Sequence, residues 1–175
     1  MISLAERQSG LIEANVTWLR QALALLDELA DKTYTASPRE LEPHRAGSHL
    51  RHIIEFYECF LDGLEFAHID YDARKRDVSI ERSPEVAAAK IRSIINRLET
   101  DPLLRGDAIV WVRMEASGSF LTSSIGRELQ VLSSHTIHHF ALIAVTLRAL
   151  GIGVDPNFGM APSTLRYLAD KVEAA

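Results

Sequence analysis

Apolar residues recur at intervals of three and four along most of the chain, the period of a helix that buries one face. From Leu4 to Ala30 that spacing is kept by Leu11, Ile12, Val16, Leu19, Leu23, Leu26 and Leu29, which predicts a first long helix. A polar, proline-containing stretch from Thr33 to Arg45 interrupts it. A second helix is predicted over Ala46 to Phe66, where Leu50, Ile53, Ile54, Tyr57, Leu61 and Leu64 form one apolar flank. The third opens on Ser83 as N-cap, with Pro84 at the first helical position and Glu85 in the first turn. Its stripe is Val86, Ala87, Ile91, Ile94, Ile95 and Leu98, and Asp101-Pro102 ends it. The fourth, announced by Thr122-Ser123-Ser124, runs to Leu150, with Gly151 as its C-terminal cap.

Between the third and fourth helices, Ile109 to Glu115 and Phe120-Leu121 flank Ala116-Ser117-Gly118-Ser119, which reads as a short hairpin. A short helix is predicted after Pro162, from Ser163 to about Val172. Asp70 to Arg82 reads as a charged loop with no core of its own. The pattern therefore predicts an all-α fold: an antiparallel four-helix bundle, a short hairpin before the last long helix, and a short C-terminal helix. Nothing in it marks an interdomain linker, so residues 1–175 are expected to form one domain.

Charge narrows the partners. With a net charge of −5 and a pI near 5.8, neither nucleic acid nor an anionic membrane is expected as the main partner. The opening Met1-Ile2-Ser3-Leu4-Ala5-Glu6-Arg7 lacks the basic and then apolar profile of a signal peptide. Charged residues interrupt every apolar run before it reaches the length of a membrane span. The single cysteine, Cys59, cannot form an internal disulfide and is expected to be buried and inert. Together these features point to the cytoplasm.

The candidate chemistry lies in histidines. His135 and His139, one turn apart, lie about 40° from each other around the fourth helix, on a stripe with Glu128, Leu132 and Leu142. That spacing lets two imidazoles reach one metal ion. His138 lies about 60° from His135 and about 100° from His139, which makes it an edge residue. A third ligand has to come from a facing helix, and the second helix offers His52 or His49. His52 is preferred because it heads an apolar stripe with Phe56 and Phe60, whereas the flank of His49 is mixed. His44 and His68, in polar surroundings, are expected at the surface. Glu128 is about 20° from each histidine of the pair, so it is a candidate to orient an imidazole or to act as an acid–base group. Its simpler reading is a solvated first-turn acid favoured by the helix dipole.

At these residues the chain resembles the DinB-like (DinB/YfiT-like) superfamily of metalloenzymes, four-helix bundles whose second helix supplies one histidine and whose last supplies an H-x-x-x-H pair. Leu50-Arg51-His52-Ile53-Ile54 is similar to the second-helix element, and His135-Thr136-Ile137-His138-His139 to the H-x-x-H-H run. The resemblance covers roughly Leu4 to Gly151. It departs after the last ligand, where Phe140-Ala141-Leu142 replaces a basic residue followed by Gly-Gln. What the resemblance implies is a divalent metal ion (zinc, nickel or iron) held by His52, His135 and His139, and a homodimer. Trp18, outside the Ile12-Val16-Leu19 line, fits the same dimer.

The implied activity is a metal-dependent S-transferase using a low-molecular-weight thiol, or a hydrolase, in either case acting on a small electrophile. The alternative is a non-catalytic metal-binding or stress-associated bundle. Tyr71, Asp72, Arg74, Lys75 and Arg76 form a loop long enough to cover a bundle end. There they would either bring basic side chains to an anionic thiol or remain solvated.

Overall fold

The computed structural model describes residues 3–114 and 118–173. It is mostly helical. In chain order the elements are α1 (Leu4–Glu28), α2 (Asp31–Tyr34), α3 (Ala46–Gly63), β1 (His68–Asp70), α4 (Val78–Arg82), α5 (Pro84–Thr100), β2 (Ile109–Arg113), β3 (Leu121–Ser124), α6 (Ile125–Ala149) and α7 (Pro162–Glu173). The four long helices expected from the periodicity are α1, α3, α5 and α6. Each of α1 and α3 packs against both α5 and α6. No helix among the described residues is long and apolar enough to cross a membrane.

Local chemistry sets the helix starts. The Ser3 hydroxyl accepts from the Glu6 amide while the Glu6 carboxylate accepts from the Ser3 amide, a reciprocal cap. Ser83 caps α5 through the Val86 amide, and Ser124 caps α6 through the Arg127 amide. On α6 the fully buried stripe is Leu129, Leu132, Thr136, Phe140, Ile143 and Leu147, at steps of three and four. His135 and His139 flank that stripe and are half-buried, so they face the margin of the core and not its centre.

One polar network crosses the core. The Asn15 side chain, fully buried on α1, donates to the carbonyls of Leu11 at 2.8 Å and Leu129 at 3.0 Å. Its oxygen accepts from the Tyr57 hydroxyl at 2.6 Å. The Tyr57 oxygen lies 3.3 Å from the Thr136 hydroxyl, which also reaches the Leu132 carbonyl at 2.8 Å. Three helices thus share one set of buried hydrogen bonds. Trp18 is also accounted for within the chain. It is buried, and its indole donates to Ser133 Oγ at 2.9 Å, so it offers no surface to a second copy.

A helical bundle alone does not describe the chain. The expected hairpin is present as β2 antiparallel to β3, with Ile109 opposite Ser124 and Trp111 opposite Thr122. Its turn residues Glu115, Ala116 and Ser117 lie outside the described residues. A third strand, β1, joins β2 in parallel, with His68 opposite Trp111. The stretch read as a coreless charged loop is therefore corrected: Ile69, Tyr71 and Ile80 within and beside it are fully buried. One-turn helices and a three-residue strand are too short to show a period, which is why the pattern hid them. Tyr34 pins this region, its hydroxyl donating to the Ile80 carbonyl at 2.6 Å. Gly47 lets α3 touch α4, since a Cβ there would stand 2.2 Å from the Glu81 carbonyl oxygen. Cys59 is half-buried, not buried as expected, and burial pushes its thiol up to about 11.

Candidate metal centre

Residue spacing on two helices builds the cluster. His49 and His52 stand one turn apart on α3, and His135, His138 and His139 occupy the facing side of α6, the helix against which α3 packs. The structure brings His52, His135 and His139 together, each offering one ring nitrogen, with these atoms within 4.8 Å of one another. Ring centroids are 4.9 Å apart for His52 and His135, 4.7 Å for His52 and His139, and 4.5 Å for His135 and His139. All three are half-buried, which leaves the cluster reachable. His138 is exposed and touches the edge of His139, in keeping with an edge residue.

Burial is the main influence on these rings, followed by repulsion from neighbouring imidazoles should they protonate and, for His52 and His135, from Arg74. It pushes His52 down to about 4, His135 to about 3 and His139 to about 2. At neutral pH the rings are therefore uncharged, with lone pairs ready for a metal ion. This has a consequence for stability. In the unfolded chain the same rings titrate near 6.5. Because their folded values lie lower, they support the fold fully above about pH 6.5, and that support is lost as pH falls toward 4 and below. The urea midpoint of metal-free protein should decline steadily from pH 6.5 to pH 4; a flat midpoint across that window would contradict the burial of neutral rings.

On sequence alone His49 is a rival to His52 for the place of third ligand. The structure gives it a different place. His49 is buried, and its Nδ1 lies 3.0 Å from Nδ1 of His139. Its Nε2 lies 3.2 Å from Nδ1 of His44, which stacks on it and reaches the surface. Neutral imidazoles donating in series from His139 to His49 to His44 leave Nε2 of His139 with a free lone pair. The opposite direction would put a proton on that nitrogen. In the first direction His49 accepts from Nδ1 of His139 and holds that ring in the tautomer a ligand needs. His49→Ala should lower metal affinity by about 10–100-fold, with His44→Ala costing less. Chelator competition measures this, and an unchanged affinity in His49→Ala would refute it. The sequence places His49 one helical turn before His52, but its contact with His139 is tertiary.

Aromatic rings close one side. Phe56 stacks on His135 with centroids 4.0 Å apart and meets His52 at 4.8 Å. Tyr71 stacks on Phe56 at 4.8 Å. The Tyr71 hydroxyl donates to Glu128 at 2.9 Å, and Ser123 Oγ donates to its other oxygen at 2.6 Å. Glu128 is thus neither solvated nor, among the described residues, hydrogen-bonded to an imidazole; it is buried with two hydroxyls. It precedes His135 by seven residues, about 10 Å along the helix, so a shared stripe does not bring it to the same point. Phe140, next to His139, is fully buried and stacks on Phe158.

The donor set fits a metal ion on two further counts. The described residues place no acidic side chain in the cluster, and Nδ1 of His135 is buried without a hydrogen-bond partner. An orphaned ring nitrogen costs about 1–3 kcal/mol. A coordinating ion gives such a ring something to bind.

No family model matches the chain. In an alignment 105 residues long that covers 57% of the chain, it is 34% identical to FK506-binding protein 5 of Rhizopus delemar. That match takes in 27% of the relative, so the chain spans about a quarter of the length of the curated protein it resembles. A likeness of this extent places the chain in no family.

Proposed function

We propose that this chain is a metalloprotein of the DinB-like type. In this reading it is a four-helix bundle in which His52, His135 and His139 hold one divalent ion. Its activity would be transfer of a low-molecular-weight thiol to a small electrophile, or hydrolysis of one. The observation that carries the reading is the convergence of three desolvated imidazoles from two packed helices. The cyclic packing of the four long helices supports the bundle. Neutral imidazoles without carboxylates suit zinc, nickel or iron better than calcium or magnesium. When bound, such an ion lowers the pKa of a water or a thiol brought to it, which serves hydrolysis and thiol transfer alike.

The chain's own residues do the rest. Burial holds the three rings neutral, His49 would hold His139 in its ligating tautomer by accepting from its Nδ1, and Phe56 and Tyr71 wall the cluster on one side. Elemental analysis of protein purified without a histidine tag tests the centre. A thiol-plus-electrophile screen on loaded and stripped protein then tests turnover. The proposal expects metal in the protein and a rate that vanishes on stripping and returns on reloading. Metal with equal rates in both forms would point instead to a non-catalytic metal-binding protein, and absence of metal would overturn the reading.

A further inference from the structure

Arg74 directly follows the turn at Tyr71–Ala73, whose Tyr71 stacks on Phe56. Its guanidinium carbon lies 4.7 Å from the centroid of Phe56, the same ring that stacks on His135 and meets His52. One N–H is fixed by the Tyr71 carbonyl at 2.6 Å. Arg51 is spent on Glu55 and Glu81, Lys90 on Glu58, and Arg113 on Asp70. Among the described residues no carboxylate forms an ion pair with Arg74.

A guanidinium is permanently charged, weakly hydrated and shaped as a fork that matches a carboxylate. Stacked on an aromatic face, with one donor already tied, it is held ready and loses little freedom on binding. We propose that Arg74 is the carboxylate-recognising residue of the metal centre, and that the centre takes small molecules carrying a carboxylate beside the group presented to the ion. The inference rests on the metal-centre reading above. A single guanidinium balances one carboxylate charge.

Cobalt(II)-loaded, untagged protein tests it, with cobalt content measured first. 3-Mercaptopropionate and 2-mercaptoethanol are titrated separately at one pH into wild type, Arg74→Gln and Arg74→Lys, following the thiolate-to-cobalt absorption. Comparing the ratio of the two affinities between proteins removes the intrinsic difference between the thiols. That ratio should fall about tenfold or more in Arg74→Gln. It should recover in part in Arg74→Lys, with cobalt content and 2-mercaptoethanol affinity unchanged. An equal ratio in wild type and Arg74→Gln, a parallel loss for both thiols, or no thiol-dependent absorption in loaded wild type would overturn the proposal. Failure of wild type to take up cobalt would overturn the metal-centre reading itself, so the two failures are told apart.

Discussion

Replacing His135 by alanine should abolish tight metal binding while leaving the helical fold in place. Three imidazoles are the whole donor set among the described residues, so removing one leaves two, too few to hold a divalent ion. Loss of a group that merely orients a ligand costs about 10–100-fold in affinity, and loss of a ligand should exceed that. A fall of at least about 100-fold is therefore expected, with the same result for His52→Ala and His139→Ala. His138→Ala should keep nearly wild-type affinity, since that ring is exposed and only edges His139. Far-UV circular dichroism should be unchanged in all four, because apolar packing and not the ion holds the helices. Chelator competition reads the affinities. Retention in any of the three ligand variants, or loss in His138→Ala, would mean that the helix faces have been misassigned.

The second large effect is on stability. Asn15→Ala should cost about 2–4 kcal/mol, from one side chain at a junction of three helices. It removes the acceptor of the Tyr57 hydroxyl and the donor to the Leu129 carbonyl, both in the buried core, and leaves a small cavity. Tyr57→Phe, which spares the volume and strands only the Asn15 oxygen, should cost less. Since a domain of this size is stable by about 5–15 kcal/mol, the Asn15 variant should unfold well below wild type in urea at an unchanged slope. A loss below about 1 kcal/mol would show that water or a shifted side chain satisfies the stranded groups.

Long-period features were legible in the sequence. The four long helices follow from apolar spacing, and their starts at Ser83 and Ser124 from cap chemistry. His135 and His139 could be placed on one side of a helix from their separation alone, and His52 opposite them from the Phe56–Phe60 stripe. Features that depend on tertiary contact were not legible. Nothing local says that His49 will meet His139 across the α3–α6 interface, or that His44 will continue the series. Tyr71, Ile80 and Arg74 sit in a charged stretch whose elements are each one turn or one short strand, so its buried side chains leave no periodic trace. Glu128 shows the limit of angular reasoning. Angle around a helix fixes a face, but rise along it decides the neighbours, and those proved to be Tyr71 and Ser123.

The central claim is that His52, His135 and His139 form one site for one ion. Its most direct test is the stoichiometry of cobalt(II) bound by metal-stripped, untagged protein at neutral pH, in wild type and in the His52→Ala/His135→Ala/His139→Ala triple variant. One equivalent per chain in wild type and none in the triple variant is the predicted result. No uptake by wild type, or one equivalent still held by the triple variant, would contradict it.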